Sequence, residues 1–383
     1  MVKIVVVGGG FAGIAAVNGL VSLIKGHPEQ IDLTLIEKRH GFITHNFAAP
    51  RAMADTRWSE AIFVATDALF SKFSNGNVLA GTAIRIEPGQ VVLDDGTAVP
   101  FDYAVLAMGS DNDSKTPCVK RNDAIKDIQD IGQGIKQAKT VVIVGAGPVG
   151  VELAGEIAAA YPDKKVTLIS SNASLGGPQY KPSLTKKLSD ILHKLHVDIV
   201  FNERVVKPQG QDTILANAAR YTADPASVTT ESGKTYEAEF VFLATGNSKL
   251  NTGAVDAGLG KDALNDKTEV KVRETLQLVG HDNIFALGDI ADVKGSKVGW
   301  VTSLQAPVVA KNLHALINNK KPTAAYKGQP MEMMSITLGK DEGATLTPIG
   351  VLGSWATRAM KSKQLFLPAT YQSVNAKVPE GLW

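Results

Sequence analysis

The sequence predicts an α/β protein built from two Rossmann-like dinucleotide-binding domains and a small C-terminal α+β region. A short run of Val and Ile followed by the glycine pattern G-x-G-x-x-G occurs twice, at residues 2–13 and 140–150. Each copy precedes a second apolar run, at 31–36 and 165–169. Continuous β-branched runs of this length are typical of parallel strands buried on both faces. The repeated strand–turn–helix–strand context therefore indicates two nucleotide sites.

Composition excludes several classes of protein. A chain of 383 residues has room for two or three domains. Forty Lys and Arg against 38 Asp and Glu leave a formal charge of +2, so no electrostatic case exists for nucleic-acid binding. Cys118 is the only cysteine in the sequence, and in a probable linker we interpret it as an incidental thiol. A disulfide framework, a Cys-based zinc site and an internal dithiol relay are thereby excluded, and we expect no metal site.

The chain shows no signal that would send it into or across a membrane. No apolar run approaches the ~20 residues that a membrane helix needs. The first apolar stretch runs directly into glycines, unlike a signal peptide, and Val2 stands where N-myristoylation needs glycine. We therefore expect an intracellular, cytoplasmic protein.

The glycines of each pattern divide three duties between them. The first permits a tight turn, the second lets the backbone approach a pyrophosphate, and the third lets the helix pack closely on the strand. The helix N-terminus adds N–H donors for the phosphates. In chain order the six glycines are Gly8, Gly10, Gly13, Gly145, Gly147 and Gly150.

The strands that follow the two patterns end differently. The first ends at Glu37, 24 residues after Gly13, where a carboxylate can accept hydrogen bonds from ribose hydroxyls; the alternative is a solvated strand-end glutamate. The second ends at Ser170 and Ser171. Neither serine would repel a 2′-phosphate and no obvious arginine would bind one, so the preference between NADH and NADPH stays open.

Further paired segments complete the pattern. The apolar strands at 103–109 and 240–246 both end in Ala-x-Gly, and residues 281–289 form a strand ending in Gly-Asp. This order of motifs resembles the two-dinucleotide-binding-domain flavoproteins over about residues 1–320. The resemblance implies a discontinuous FAD domain, 1–115 and 248–325, interrupted by an NAD(P)H domain at 116–247. Residues 326–383 would form a C-terminal domain that caps the flavin and shapes the substrate site.

Finer matches indicate one branch of that group. Residues 42–51, 151–156, 161–169, 325–327 and 338–343, and above all the tail Met360-Lys-Ser-Lys-Gln-Leu-Phe366, resemble the ferroptosis-suppressor-protein family. That family is also called the apoptosis-inducing-factor-like mitochondrion-associated proteins. The resemblance implies an FAD-dependent NAD(P)H:quinone oxidoreductase that keeps lipophilic quinones reduced. Disulfide-reducing relatives carry paired cysteines beside the flavin, which this sequence lacks.

The resemblance also implies which residues hold the cofactor. A cationic phosphate partner falls on Arg51, an adenine contact on Ala83 and the ribityl contact on Asp289. The helix expected at about 301–317 would direct its N-terminus at the flavin pyrimidine carbonyl. The flavin pyrophosphate contacts fall on the glycine turn: Gly8, Gly9, Gly10, Phe11 and Ala12.

Two residues are expected to act on the reaction itself. Glu152 matches the acid that the family requires for nicotinamide-dependent activity; its alternative is a carboxylate interacting with the helix dipole. Lys361 matches a lysine near the flavin and could stabilise an oxyanion; its alternative is a solvated surface lysine. Glu156, one turn after Glu152, could share that face, and His45 could lie near the flavin. Trp300 and Phe366 are candidates for a quinone slot.

Several alternatives stay open at this stage. The apolar and cationic stretch 346–367 could lie peripherally on a membrane, a lipid droplet or the mitochondrial outer surface, or simply dock on the flavin domain. The protein could instead be an NAD(P)H-responsive redox-sensing or apoptosis-related signalling flavoprotein, or a reductase of a small iron–sulfur protein. The oligomeric state is left undetermined.

Overall fold

Two parallel sheets dominate the structure, a computed structural model that describes residues 1–24, 30–112, 118–206, 226–246 and 248–382, and four strands of the first are ordered as in the second. The first sheet has five parallel strands in the order β18-β9-β1-β2-β5. They are β1 (Val2–Val7), β2 (Ile31–Glu37), β5 (Gly76–Ala80), β9 (Tyr103–Leu106) and β18 (Ile284–Ala286). Because β18 comes from far along the chain, the first sheet is built from two separate stretches of sequence.

The second sheet lies between those two stretches. Its four parallel strands run in the order β13-β12-β11-β16. They are β11 (Thr140–Val144), β12 (Lys165–Ile169), β13 (Val197–Val200) and β16 (Phe240–Leu243). In both sheets the strand that leads into the glycine pattern is internal: β1 lies between β2 and β9, and β11 lies between β12 and β16. The predicted α/β fold class is confirmed.

Helices cover both sheets. The described α-helices are α1 (Phe11–Ile24), α2 (Ala49–Ala54), α3 (Arg121–Gln137), α4 (Pro148–Ala160), α5 (Pro182–Lys194), α6 (Gly253–Leu259), α7 (Thr302–Ile317), α8 (Ser354–Thr357) and α9 (Leu367–Ser373). Helix α1 packs against α7 at Gly19, where an added Cβ would lie 3.2 Å from the Ala310 Cβ. Within the described ranges, no helix has the length and apolarity needed to cross a bilayer.

Short antiparallel strands complete the chain. They are β3 (Phe42–Thr44) with β4 (Phe63–Ala65), β6 (Ala83–Glu87) with β7 (Gln90–Leu93) and β8 (Ala98–Pro100), β10 (Ser110–Asn112) with β17 (Ser248–Leu250), β14 (Ala226–Thr229) with β15 (Thr235–Ala238), and β19 (Met334–Leu338) with β20 (Glu342–Thr347) and β21 (Gly350–Leu352). The β10–β17 pair lies where the chain leaves and re-enters the first domain. The boundaries at 115–116 and at 247 fall outside the described residues, so the numbered domain division stays a prediction.

The C-terminal region contacts both nucleotide-binding domains. Helix α4 approaches β19 so closely at Gly155 that a Cβ there would lie 2.6 Å from the Leu338 Cα. Beyond β21, α8 continues into a π-helical turn at Arg358–Ser362 and then into α9. Leu365 and Leu367 belong to the same buried apolar cluster as the core of the first domain. The two nucleotide-binding domains and the C-terminal region therefore meet around α4.

Candidate functional site

A cavity of about 660 Å³ opens at the carboxyl ends of the first sheet. The carboxyl edge of a parallel sheet is where nucleotide ligands bind in folds of this type. Seven residues that the sequence singled out line this cavity together: Gly8, Gly10, Phe11, Ala12, Glu37, Ala83 and Asp289. They come from four separate places in the chain, and the sheet brings them to one edge.

The glycine turn of the first domain has the geometry that a phosphate requires. Gly8 has φ +101°, and a Cβ there would lie 2.4 Å from the Ala107 carbonyl oxygen. A Cβ on Gly13 would lie 1.7 Å from the Gly8 carbonyl oxygen, so only glycine permits this helix to sit so close. At Gly10, by contrast, a Cβ would meet nothing within 4 Å. The turn is sterically closed on its protein side and open on its cavity side.

Glu37 is buried at the end of β2 and binds the backbone of the glycine turn. Its Oε2 accepts a hydrogen bond from the Gly9 N–H, and its Oε1 accepts one from the Arg39 N–H at 2.9 Å. A Cβ on Gly9 would lie 2.9 Å from the same Oε2. The carboxylate therefore fixes the backbone of the turn while it faces the cavity, where ribose hydroxyls would meet it.

The opposite end of the cavity carries Asp289. Its Oδ2 accepts a hydrogen bond from the Ser110 Oγ at 2.8 Å, which orients the carboxylate. The preceding N–H, that of Gly288, donates to the Gln305 Oε1 on α7 at 2.8 Å. Thr302, the first residue of α7, also lines the cavity. Ser110 and Gln305 belong to no recognisable sequence motif, so neither was predicted as a site residue.

Aromatic side chains border the cavity on one side. The Phe11 and Phe47 ring centroids are 4.8 Å apart, and those of Phe47 and Phe366 are 6.0 Å apart at an edge-to-face angle. Phe11 and Phe47 line the cavity, whereas Phe366 is 45% exposed. Phe47 was not predicted as a site residue, although it lies within the segment 42–51 that resembles the family. Trp300 packs on the core of the first domain, next to the cavity-lining Gly299.

His45 joins this aromatic border to the C-terminal region. Its Nε2 donates to the Leu365 carbonyl oxygen at 2.6 Å, and its Nδ1 accepts from the Thr370 hydroxyl at 2.7 Å. Burial lowers the pKa of the imidazole from 6.5 to about 4. The neutral ring therefore carries its proton on Nε2. It packs edge-on against Phe11 and Phe47.

The second glycine pattern reproduces the first. Gly145 has φ +105°, and a Cβ there would lie 2.4 Å from the Ala244 carbonyl oxygen. A Cβ on Gly150 would lie 2.0 Å from the Gly145 carbonyl oxygen, and one on Gly147 would meet nothing within 4 Å. Ser170 stands where the first domain has Glu37, and its Oγ donates to the Ser174 carbonyl oxygen at 3.2 Å. This domain therefore offers the same phosphate turn without an acid beside it.

Glu152 and Lys361 are brought together across 209 positions of sequence. The Lys361 Nζ lies 2.6 Å from the Glu152 Oε1 and donates to the Ser335 carbonyl oxygen at 2.9 Å. The Thr337 N–H donates to the same Glu152 oxygen at 3.2 Å. Both side chains are buried, so Lys361 is not the solvated surface lysine of its alternative interpretation. Their roles in the reaction stay predictions.

Arg51 is placed differently from the sequence prediction. It is absent from the cavity lining, and its guanidinium is buried against the Glu156 carboxylate, the Ser362 carbonyl and the Gly339 carbonyl. A guanidinium with these partners does not face a phosphate in the cavity. The expectation of a flavin-phosphate contact is therefore corrected. The cations that do line the cavity are Lys38, Arg39 and Lys297.

The residues present fit a flavin dinucleotide. The cavity joins an open glycine turn and an acid, which suit an adenosine pyrophosphate, to a second acid beside the start of α7, which suits a ribityl chain and a flavin ring. Residues 2–312 match the family described as pyridine nucleotide-disulphide oxidoreductase. The chain belongs to this family. As an enzyme of the family it is an FAD-dependent oxidoreductase with NAD(P)H as co-substrate, although its single cysteine leaves it without a redox-active cysteine pair.

Curated relatives extend over nearly the whole chain. Ferroptosis suppressor protein 1 of Taeniopygia guttata is 31% identical, with 99% of this chain and 97% of the relative covered. The protein of the same name from Homo sapiens is 28% identical, with 98% and 96% covered. Apoptosis-inducing factor homolog B of Dictyostelium discoideum is 29% identical, with 98% of both chains covered. The family resemblance predicted from the sequence is confirmed.

Solved structures agree on the fold. The sulfide:quinone oxidoreductase from Aquifex aeolicus superimposes with a TM-score of 0.74 at 20% identity, covering 99% of this chain and 93% of that one. The ferredoxin reductase from Rhodopseudomonas palustris gives a TM-score of 0.69 at 16% identity, covering 90% and 81%. At these identities the likeness shows the two-domain fold and leaves the electron acceptor to be argued from the site.

Proposed function

We propose that this oxidoreductase passes electrons from NAD(P)H to a lipophilic quinone and so keeps such quinones reduced. The observation that carries the proposal is the aromatic border of the cavity, in which Phe366 extends the contact of Phe11 and Phe47 outward to solvent. Aromatic rings bind a flat apolar ring by offset or edge-on contacts. An electron acceptor that enters past Phe366 therefore meets an apolar path to the cavity.

The overall reaction balances without a further reactant. NAD(P)H, one proton and a quinone give NAD(P)⁺ and a quinol, and the bound FAD supplies the chemistry that accepts a hydride and returns two electrons. The chain's own residues bind and orient. The glycine turns hold the two pyrophosphates, and Glu37 and Asp289 hold hydroxyl groups of the flavin nucleotide. Glu152 orients the nicotinamide end of NAD(P)H, and Lys361 neutralises that buried carboxylate.

A lipid surface is the proposed place where the quinone is met. The segment 355–366 exposes three large apolar side chains, with Trp355 79% exposed, Met360 42% and Phe366 45%. Arg358 and Lys363 are exposed in the same segment, and the Arg358 Nε lies 3.0 Å from the Asp341 Oδ1. Aromatic and aliphatic side chains interleaved with cations are typical of segments that lie on anionic lipid headgroups. Phe366 belongs to both this segment and the cavity border, so a quinone could pass from lipid to flavin without crossing water.

Turnover with a short-chain quinone tests the proposal. The purified holoenzyme should oxidise NADH continuously in the presence of a short-chain ubiquinone analogue. Phe366→Ala should raise the KM for the quinone about 10-fold, the loss of one good aromatic contact, and should leave anaerobic flavin reduction by NADH unchanged. Val279→Ala, which truncates an exposed apolar side chain elsewhere, is the matched control.

Other outcomes would favour the remaining alternatives. A single slow reduction followed by no turnover would indicate a redox sensor. Turnover with a small iron–sulfur protein but not with the quinone would indicate a protein acceptor. For the lipid surface, Trp355→Ala should reduce sedimentation with phosphatidylserine-containing vesicles relative to Val279→Ala. Equal sedimentation of the two variants would refute a role for the segment 355–366 in lipid binding.

A further inference from the structure

The Arg51 side chain is held by a carboxylate from the second nucleotide-binding domain. Its Nε and Nη2 donate to the two oxygens of Glu156 at 3.0 and 2.8 Å, a two-pronged contact. Arg51 lies on α2 of the first domain, and Glu156 lies on α4 of the second. A planar guanidinium facing a planar carboxylate fixes both the separation and the relative orientation of the two helices.

The same guanidinium also binds the C-terminal region at two points. Its Nη1 donates to the Ser362 carbonyl oxygen at 2.6 Å, and its Nη2 donates to the Gly339 carbonyl oxygen at 2.9 Å. Gly339 follows β19, and Ser362 ends the π-helical turn. Arg51 is therefore the meeting point of three units of the protein. Its fourth neighbour is the Trp58 ring, whose centroid lies 5.4 Å from the guanidinium carbon.

Burial makes this arrangement sensitive to change. Arg51 is 1% exposed, and Glu156 is buried as well. Burial raises the pKa of the Glu156 carboxyl, and the Arg51 hydrogen bonds and charge oppose that rise. An ion pair removed from water is stabilising only when its geometry is good and its remaining donors are satisfied. Here the two carbonyls satisfy donors that the carboxylate does not reach.

Arg51, with its partners Glu156, Gly339 and Ser362, is called the bracket from here on. The bracket lies close to residues that are expected to act in the reaction. Glu156 lies one turn after Glu152 on α4, and α4 begins at the second glycine pattern. Glu152 is in turn bonded to Lys361, next to the Ser362 that Arg51 holds. We propose that Arg51 is a positioning residue. It sets α4, and with it the NAD(P)H site, at the working distance from the flavin cavity, and it locks the C-terminal region in the same place. This role concerns reduction by NAD(P)H and is independent of the quinone.

Three variants test the bracket. Glu156→Gln keeps the shape of the side chain and removes its charge. Arg51→Met with Glu156→Met removes both buried charges together. Arg51→Lys keeps a charge that cannot span the carboxylate and two carbonyls. Arg85→Met, which breaks an ion pair to Glu87 on the surface of the first domain, is the control. For each purified holoenzyme, FAD content, anaerobic flavin reduction by NADH and hydrogen exchange of residues 338–343 and 360–366 are measured.

The expected pattern is specific. Glu156→Gln and the double variant should retain FAD at the wild-type ratio, because Arg51 does not line the cavity. Their limiting rate of flavin reduction should fall about 100-fold, the effect of misplacing reacting groups by about 1 Å. Both C-terminal segments should exchange faster. Arg51→Lys should reduce the flavin faster than the double variant but more slowly than the wild type. Arg85→Met should match the wild type in all three measurements.

Three results would overturn the proposal. Loss of FAD from these variants, with a normal reduction rate once FAD is restored, would make Arg51 a flavin ligand after all. Wild-type rates in both Glu156→Gln and the double variant would show that the bracket is dispensable. Slowed reduction with unchanged hydrogen exchange would assign Glu156 a chemical role in place of a positioning one.

Discussion

The two nucleotide-binding domains have nearly the same glycine turn but differ around it. In both domains the first glycine would collide with a carbonyl at 2.4 Å if it had a Cβ, and the middle glycine would meet nothing within 4 Å. The first domain places the buried carboxylate of Glu37 beneath the turn, whereas the second places the short hydroxyl of Ser170 there. The two turns therefore have the same backbone geometry, and they differ in the side chain at the carboxyl end of the second strand of each sheet.

A second difference lies on the helices that follow the turns. Counting from the last glycine of each pattern, the position held by Glu152 in the second domain is held by Ala15 in the first. Glu152 pairs with Lys361 from the C-terminal region, so the second helix is tied to a third unit. The first helix instead packs against α7 of its own domain through Gly19. The helix of the second motif is therefore connected to the C-terminal region, whereas the helix of the first packs within its own domain.

The largest effect is expected from substituting the middle glycine of each turn, because the two substitutions should have different outcomes. Gly10→Glu should yield a colourless protein, because the carboxylate fills the open side of the turn where the flavin pyrophosphate lies. Gly147→Glu should stay yellow but raise the KM for NADH about 100-fold, the value of two lost charge-assisted hydrogen bonds. Absorbance after gel filtration and NADH titration measure these effects. Dithionite should still bleach Gly147→Glu, and a colourless Gly147→Glu would contradict the assignment of the two sites.

The next effect concerns the helix position at which the domains differ. Glu152→Ala makes the second helix resemble the first and leaves the buried Lys361 ammonium without its carboxylate. We expect flavin reduction by NADH to slow about 100-fold through misplacement of the nicotinamide, with FAD still bound. Stopped-flow bleaching of the flavin absorbance is the measurement. An unchanged rate would remove Glu152 from the reaction.

A smaller effect should follow when the acid of the first domain is copied into the second. Ser170→Glu places a carboxylate where the adenosine ribose of NAD(P)H is expected, and like charges repel a 2′-phosphate. The ratio of kcat/KM for NADPH to that for NADH should fall about 10-fold, a like-charge penalty of about 1.4 kcal/mol. Ser170→Gln controls for size. A ratio that both variants leave unchanged would mean that the ribose lies elsewhere.

The last effect concerns stability rather than activity, where the C-terminal region contacts the first domain. Burial lowers the pKa of His45 from 6.5 to about 4. Between those values the unfolded chain takes up a proton that the folded protein refuses, so stability falls as the pH is lowered from 6.5 towards 4. The loss should amount to about 3 kcal/mol at most. Denaturant unfolding should show a flatter pH dependence for His45→Gln, and an identical dependence would contradict a buried neutral imidazole.

Local sequence patterns predicted the parts of the site that lie within single motifs. The glycine turns, the acid after β2 and the Gly-Asp turn each depend on a few neighbouring residues and on the edge of a parallel sheet, so spacing alone indicates them. Arg51 shows the limit of this approach. Its neighbours in sequence suggest a cation near the flavin, but its partners Gly339 and Ser362 lie 288 and 311 positions away. No local pattern records them.

The sequence by itself therefore determined the α/β class, the two nucleotide sites and the family, because strand periodicity and glycine sterics act over a few residues. Only the tertiary structure decided which groups Arg51, Glu152, Lys361 and His45 contact. A buried charge or imidazole must find its partners among whatever groups folding brings within about 3 Å. In this protein those groups come from the second domain, which supplies Glu156 to Arg51, and from a C-terminal region that contacts both domains.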